Sequence, residues 1–386
     1  MENRNIKKAI SFEGFFCIAL TLTFFYTLSS KMGLVNMFNT LMNTGHQLLL
    51  NVVFYILAIA VITGAVAGIL SEFGVIAIIN KLLSPLMKPL YDLPGASTLG
   101  ILTTYLSDNP AIITLSKDRG FLRYFKKYQV PALTNLGTAF GMGLIVTTFM
   151  IGQSKITGEN FISAALIGNV GVLIGSVISV RIMLHFTKKE FGTEAAALED
   201  ISNNHDVMNY REIREGTTAE RLLSSMLEGG KSGVDMGMAI IPGVLIICTL
   251  VLMLTNGPGT GGIYTGAAYE GVPLLPWVGE KISFILKPLF GFTNPEAIAF
   301  PITSLGAVGA AISLVPTFLE KGLITANDIA VFTAMGMCWS GYLSTHVAMM
   351  DALGCRKITG KAIFSHTIGG LFAGISAHFI YMLLFN

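Results

Sequence analysis

Residues 105–116 read YLSDNPAIITLS, and the fold turns on how this stretch is accommodated. Its flanks are apolar enough for lipid, yet Asp108, Asn109 and Pro110 stand together in the middle. An Asp at the centre of a membrane helix costs roughly 2.5–3.5 kcal/mol on insertion scales. The runs on either side are too short to cross a bilayer, so a solvent-exposed loop between two spanning helices does not fit. The stretch reads instead as a break at membrane depth. Such backbone survives only when it is buried in protein or lines a wet cavity.

The rest of the chain supports a membrane setting. Of 386 residues, 52% are hydrophobic and only 12% charged, and the mean hydropathy is +0.66. Soluble domains carry about 25% charged residues, so this is an all-α integral membrane protein. Windows such as 32–71, 129–154, 236–269 and 362–386 hold no Asp, Glu, Lys or Arg, and each can contain a spanning helix. The net charge of +2 says little about partners, because the distribution of Lys and Arg matters more than their sum, and no nucleic-acid partner is expected. Cys17, Cys248, Cys338 and Cys355 have no CxxC spacing, which excludes a zinc site and a disulfide framework. The N-terminal 30 residues have a basic start but a long apolar part and no A-x-A cleavage signal, so they read as a retained first transmembrane helix.

Two halves are visible. Residues 1–45 form the N-terminal helix and its connection, and 46–187 the first repeat with a following transmembrane helix. A polar linker spans 188–231, and 232–386 hold the second repeat with a C-terminal helix. LSPLMKPL (83–90) corresponds to ISFILKPL (282–289), and Pro94 to Pro295. The breaker SDNP (107–110) corresponds to GAVG (306–309), and KDRG (117–120) to EKG (320–322). Order and spacing rather than identity carry this repeat, as is common in transporters.

Charge distribution decides whether the interrupted segments cross. If both return on themselves and the N-terminus is cytoplasmic, only Lys31, Lys155, Lys281, Lys287 and Lys321 lie outside, of 25 basic residues. If both crossed, the cluster Lys117–Lys127 and the linker would move outside. The positive-inside tendency therefore favours re-entrant hairpins at about 94–119 and 294–320, with about seven spanning helices in two inverted repeats. Segments 74–91 and 276–290 read as amphipathic interfacial helices.

This order of spanning helix, interfacial helix, hairpin and spanning helix, repeated with inversion, resembles the concentrative nucleoside transporter fold. GGKSGVDMGMAIIPGVLIICTLVLML (229–254) and LPWVGEKISFILKPLFGFTNPEAIAFPITSLG (275–306) resemble the nucleoside recognition, or Gate, domain of bacterial membrane proteins. The first half, from NVVFYILAIAVITGAVAGIL (51–70) through TTFMIG (147–152), resembles a second Gate copy. The resemblance implies a bacterial inner-membrane location, a nucleoside or related solute and a homotrimer. It departs at the first hairpin, which carries SDNP where that family carries a Gly-Gln-Thr-Glu type motif. TNPEA (293–297) echoes that motif in the second hairpin instead.

Ten residues are candidates for solute binding. Asp108 and Asn109 sit at the first break, where helix ends offer free N–H and C=O groups. Thr293, Asn294 and Glu296 open the second hairpin and equally fit a helix cap, with Asn as cap and Pro at the first position. Asn135 and Thr138 lie in the segment after the first hairpin, and Ser340, Ser344 and His346 in its counterpart. Hydroxyl residues there serve as readily in helix packing, and a buried His can either satisfy a carbonyl or carry a proton. The GxxxG pairs, among them Gly64/Gly68 and Gly171/Gly175, mark close helix contacts. EGGKSG (228–233) is not a P-loop, because Ser225 stands where the first Gly is required.

The pattern points to an ion-coupled (Na⁺ or H⁺) secondary transporter of a small polar solute, without cofactor. Amino acids or small peptides are alternative cargo. A non-transporting Gate-type component of a larger assembly, as in sporulation, is the second reading. Enzyme chemistry is disfavoured, since GxSxG, HExxH and paired catalytic Asp motifs are absent.

Overall fold

The computed structural model describes residues 8–109, 111–198 and 206–385, apart from the side chains of Thr260 and Ser344. The chain is about 77% helical, with no strand among the described residues. Helix α1 (Phe12–Met32) turns at Gly33, whose φ of 80° a glycine adopts without strain, into α2 (Leu34–Glu72). The connection expected up to residue 45 is thus helical, continuous with the span that follows.

Next come α3 (Val75–Tyr91), then α4 (Ser97–Leu106) and α5 (Ala111–Lys117), which flank the Asp108 break. α6 (Ala132–Ala139), α7 (Gly143–Gly152) and α8 (Ile162–Phe191) complete the first half. The second half repeats the order. α9 (Thr218–Thr255) matches α2, and α10 (Leu274–Lys281) with α11 (Ser283–Phe290) match α3. α12 (Ala299–Gly306) and α13 (Val308–Glu320) flank the second break. α14 (Ala326–Cys338) and α15 (Tyr342–Ala352) match α6 and α7, and α16 (Thr359–Phe385) matches α8.

Among the described residues, six helical stretches are long and apolar enough to span a bilayer, including 127–157 taken as one. The seventh expected span, 326–352, is divided at Trp339–Gly341 into α14 and α15 and is not among those six. The polar segment expected over 188–231 is shortened from both ends, because α8 runs on to Phe191 and α9 begins at Thr218. A capping box, in which the Thr217 hydroxyl and the Glu220 carboxylate exchange hydrogen bonds, starts α9.

Matching helices run antiparallel. A Cβ on Gly64 of α2 would meet the carbonyl of Gly229, one on Gly68 that of Ser225, and one on Gly233 that of Ala60. As α2 advances, α9 retreats, which makes the two halves inverted. The pair α8/α16 repeats the device at Gly175, where an added Cβ would meet the Gly369 carbonyl. α2 and α9 also share an irregularity: each carries a π-helical turn, Leu48–Val53 and Gly243–Cys248, and the two turns face each other. The broken helices are innermost. Every residue of α6 and of α14 is buried, polar ones such as Asn135 and Asp328 included.

The linker is fastened to the end of α2. Glu72, 4% exposed, accepts from Arg214 Nη1 at 2.6 Å and from Arg221 Nε at 2.7 Å, and Arg214 also pairs with Glu228. Hydrogen bonds to Glu228 and Glu72 hold the Arg214 guanidinium above its ordinary pKa. Farther back, the Tyr124 hydroxyl donates to Asp206 and holds that carboxyl below the usual range. Removing one member of such a network leaves the others with unmatched charge. Glu72→Ala is therefore expected to lower the melting temperature by several degrees, whereas Glu228→Ala, which leaves both arginines paired to Glu72, lowers it far less. Differential scanning fluorimetry of the two variants checks this.

Candidate solute site

Four interruptions of helix meet at one place. At the first, α4 ends at Leu106, and Ser107 (φ −134°, ψ −114°) leaves helical geometry. Ser107 Oγ accepts the Asp108 N–H at 2.5 Å, and the Asp108 carboxylate accepts the Asn109 N–H at 2.7 Å. Short polar side chains stabilise such a turn by replacing the lost helical partners. At the second, α12 ends at Gly306 and Ala307 is extended (φ −164°, ψ 123°) before α13 resumes. The third lies between α6 and α7, where Met142 is left-handed (φ 55°), and the fourth between α14 and α15, where Gly341 has φ 65°. Gly341 takes that conformation freely; a methionine does so only when its surroundings impose it.

The halves are tied together across these breaks. Asn109 Nδ2 donates to the Ser340 carbonyl at 2.6 Å, linking the first break to the second broken helix. The amide oxygen of Asn109 is buried without a partner and lies against Gly141, where an added Cβ would overlap it. Gly341 N–H in turn donates to the Ser304 carbonyl at 3.0 Å, tying that broken helix to α12.

Between these elements lies a cavity of about 240 Å³. Asp108, Asn109, Ser340 and Thr345 supply its polar lining, and Met142, Met236, Ile240, Ile247 and Val308 its apolar lining. Gly243, at the π-helical turn of α9, opens one wall. A groove of about 410 Å³ shares Met236 with the cavity, reaches Ser107, and passes Gly64, Gly68 and Ser71 towards the end of α2 that carries the linker. On another side, a pocket of about 280 Å³ is lined by Asn51, Tyr55, Lys155 and Glu320, with Lys155 Nζ 3.9 Å above the Tyr55 ring.

Of the ten candidate residues, Asp108, Asn109 and Ser340 line this cavity. Asn135 and His346 are fully buried but do not line it. Asn135 Nδ2 donates to Ser179 Oγ at 2.9 Å and to the Ala362 carbonyl at 3.1 Å. Ser179 Oγ meets His366 Nδ1 at 2.9 Å, and His366 Nε2 meets the Cys338 carbonyl at 2.5 Å. The His346 ring lies beside that of His366, tilted by 40° with centroids 4.7 Å apart, and neither of its nitrogens has a hydrogen-bond partner among the described residues. Thr138 Oγ1 bonds back to the Thr134 carbonyl at 2.9 Å within its own helix.

Thr293, Asn294 and Glu296 lie at the base of the second helix pair, away from the cavity. Thr293 is exposed, Asn294 and Glu296 half-buried, and Asn294 Nδ2 donates to the Leu323 carbonyl at 2.7 Å. Asn294 stands in the cap position before Pro295 at the start of a 3₁₀ turn, but its side chain makes no capping hydrogen bond there. The side chain of Ser344 lies outside the described ones. Thr345, the neighbour of the candidate Ser344, also lines the cavity. Met142, Met236 and the α9 wall were not foreseen; the two methionines are ordinary apolar positions, and only Gly243 after Pro242 hints at irregular helix.

Fold and site together define a multi-pass, all-α membrane protein of two inverted halves with a central cavity. Among solved structures, CNTnw, a concentrative nucleoside transporter, in an inward-facing substrate-bound state shares this fold. Its TM-score is 0.50 at 14% identity, over 83% of this chain and 74% of that one. A CNTnw variant in an intermediate state gives 0.50 at 13% identity, over 85% and 76%. An uncharacterized protein of Alkalihalophilus pseudofirmus is 26% identical over 291 residues, 73% of this chain, which spans 57% of that protein's length. No family profile matches the chain.

Proposed function

We propose that this chain is a secondary transporter that carries a small polar solute, a nucleoside or related compound as first candidate, coupled to Na⁺ or H⁺. Amino acids and short peptides are the next candidates. The observation that carries the reading is the meeting of all four helix interruptions at one cavity. Transporters place solute sites near the midplane, between discontinuous helices of inverted repeats, because broken helices expose backbone groups for binding. In this reading α4/α5 and α12/α13 are re-entrant hairpins, the N-terminus and linker are cytoplasmic, and the linker-side groove is the cytoplasmic route. Movement of one hairpin-bearing unit closes that route and opens the pocket beside Lys155. The buried, unpartnered ring of His346 beside His366 supplies a place for a coupled proton.

The test is thermal stability of the detergent-purified protein against nucleosides, nucleobases, amino acids and short peptides, in Na⁺ and again in K⁺. A ligand that binds only the folded state raises the melting temperature. The expected result is a shift from one chemical class, abolished by Asp108→Ala. No shift from any class in either cation contradicts the transporter reading and favours the assembly component.

A further inference from the structure

The chemical character of the cavity narrows what it can hold. Asp108 is the one ionisable side chain in its lining. No Lys, Arg or His forms an ion pair with Asp108 among the described residues; the ion pairs found there are all elsewhere. Its hydrogen bond from the Asn109 N–H leaves carboxylate acceptor capacity unused. Each break also brings one helix C-terminus and one N-terminus together, so their partial charges oppose one another. The carboxylate remains the uncompensated charge in a largely apolar chamber, which is costly unless something positive joins it.

Polar neighbours stand beside it: Ser340 and Thr345 line the same chamber. An ammonium group carries three N–H donors and no acceptor, which matches a carboxylate with unused acceptor capacity. The chamber's volume, about 240 Å³, is roughly that of eight waters, far more than a bare ion fills. Met142, Met236 and Ile247 give the remainder an apolar lining. An amphipathic organic amine suits these walls better than an inorganic cation.

We propose that the cavity takes its solute through a protonated amine. The Asp108 carboxylate accepts the ammonium, and the body of the solute lies against Met142, Met236 and Ile247. This rests on the transporter reading and, within it, places cationic small solutes such as amines ahead of neutral nucleosides.

The test is the melting temperature of the full chain in detergent with a graded set of primary amines, from ethylamine to tyramine. Each amine is compared with its neutral alcohol or alkyl analogue and its carboxylate analogue, and uridine is included, in NaCl and in KCl. Wild type, Asp108→Asn and the charge-retaining Asp108→Glu are measured in parallel, and unliganded melting curves report folding. The expected result is stabilisation by amines alone, at least about tenfold weaker in apparent affinity in Asp108→Asn and partly retained in Asp108→Glu. Stabilisation by uridine or another neutral solute, with amines silent, overturns this inference and leaves the transporter reading standing. Stabilisation by Na⁺ alone, lost in Asp108→Asn with amines silent, overturns it by giving Asp108 to an inorganic ion. Silence from every probe overturns it together with its premise.

Discussion

Gly229→Leu is expected to prevent folding, whereas a substitution one residue away is expected to be tolerated. α2 and α9 approach so closely that a Cβ on Gly229 would meet the Gly64 carbonyl, and one on Gly64 the Gly229 carbonyl. Both obstacles are backbone, which cannot rotate aside as a side chain can. Overpacking a core ordinarily costs about 1–3 kcal/mol, occasionally more. Here the two longest helices would have to separate along a shared seam, and the π-helical turns that face each other farther along it would lose register. Gly230 is also buried, but its added Cβ would find only Val61 at 3.6 Å, an ordinary contact. Size-exclusion chromatography should show Gly230→Ala as a single peak near the wild-type position, and Gly229→Leu as aggregate or no recoverable protein. A folded Gly229→Leu protein would show that the seam is looser than described.

Gly141→Ala should spare the fold and abolish solute binding. The Cβ it adds would occupy the place of the Asn109 amide oxygen, so the Asn109 side chain must shift away from the first broken helix and out of its present position. That movement breaks the 2.6 Å bond from Asn109 Nδ2 to the Ser340 carbonyl, a net stabilisation of about 0.5–1.5 kcal/mol. Such a loss is small for a chain of this size but decisive for a site built on that contact. Asn109→Ala in the Gly141→Ala background should add little further loss, because both changes act on one contact. Ligand-dependent melting temperatures for the two single variants and the double variant measure this coupling. Additive effects would show that Gly141 and Asn109 act independently.

The sequence made the breaks legible and the walls illegible, for physical reasons. Asp108–Pro110 and Gly306–Gly309 interrupt apolar runs at matching distances, and a break within such a run has few structural explanations. Glycines at fourfold spacing announced the α2/α9 and α8/α16 seams, although only the structure shows that Gly64 meets Gly229. Thr293, Asn294 and Glu296 were read equally as cap and as solute ligands, and Asn294 takes the cap position without a side-chain capping bond. Placing them in the solute site was a different matter, because hydropathy does not say which end of a helix pair lies at the centre. The π-helical turn in LLLNVV (48–53) carries no local signal, since the same residues make an ordinary apolar helix. Met142 is as silent, because a left-handed methionine is imposed by packing. The chain from Asn135 through Ser179 to His366 joins residues far apart in sequence, and no spacing rule reaches across that distance.

The central claim is that one cavity opens in turn to both faces of the membrane. It is tested most directly by labelling Thr345→Cys, whose side chain lines the cavity, in protein with Cys17, Cys248, Cys338 and Cys355 replaced. A membrane-impermeant maleimide is applied to right-side-out and to inside-out vesicles, with Glu159→Cys between α7 and α8 and Glu212→Cys in the linker, both exposed outside the spanning helices, as controls for the two faces. The account predicts that the introduced cavity thiol reacts from both faces, faster from the linker side through the groove past Met236, and more slowly from both when a bound solute fills the cavity. Reaction from one face only, under every solute and cation condition, would contradict alternating access and with it the assignment of the cavity as a transport site.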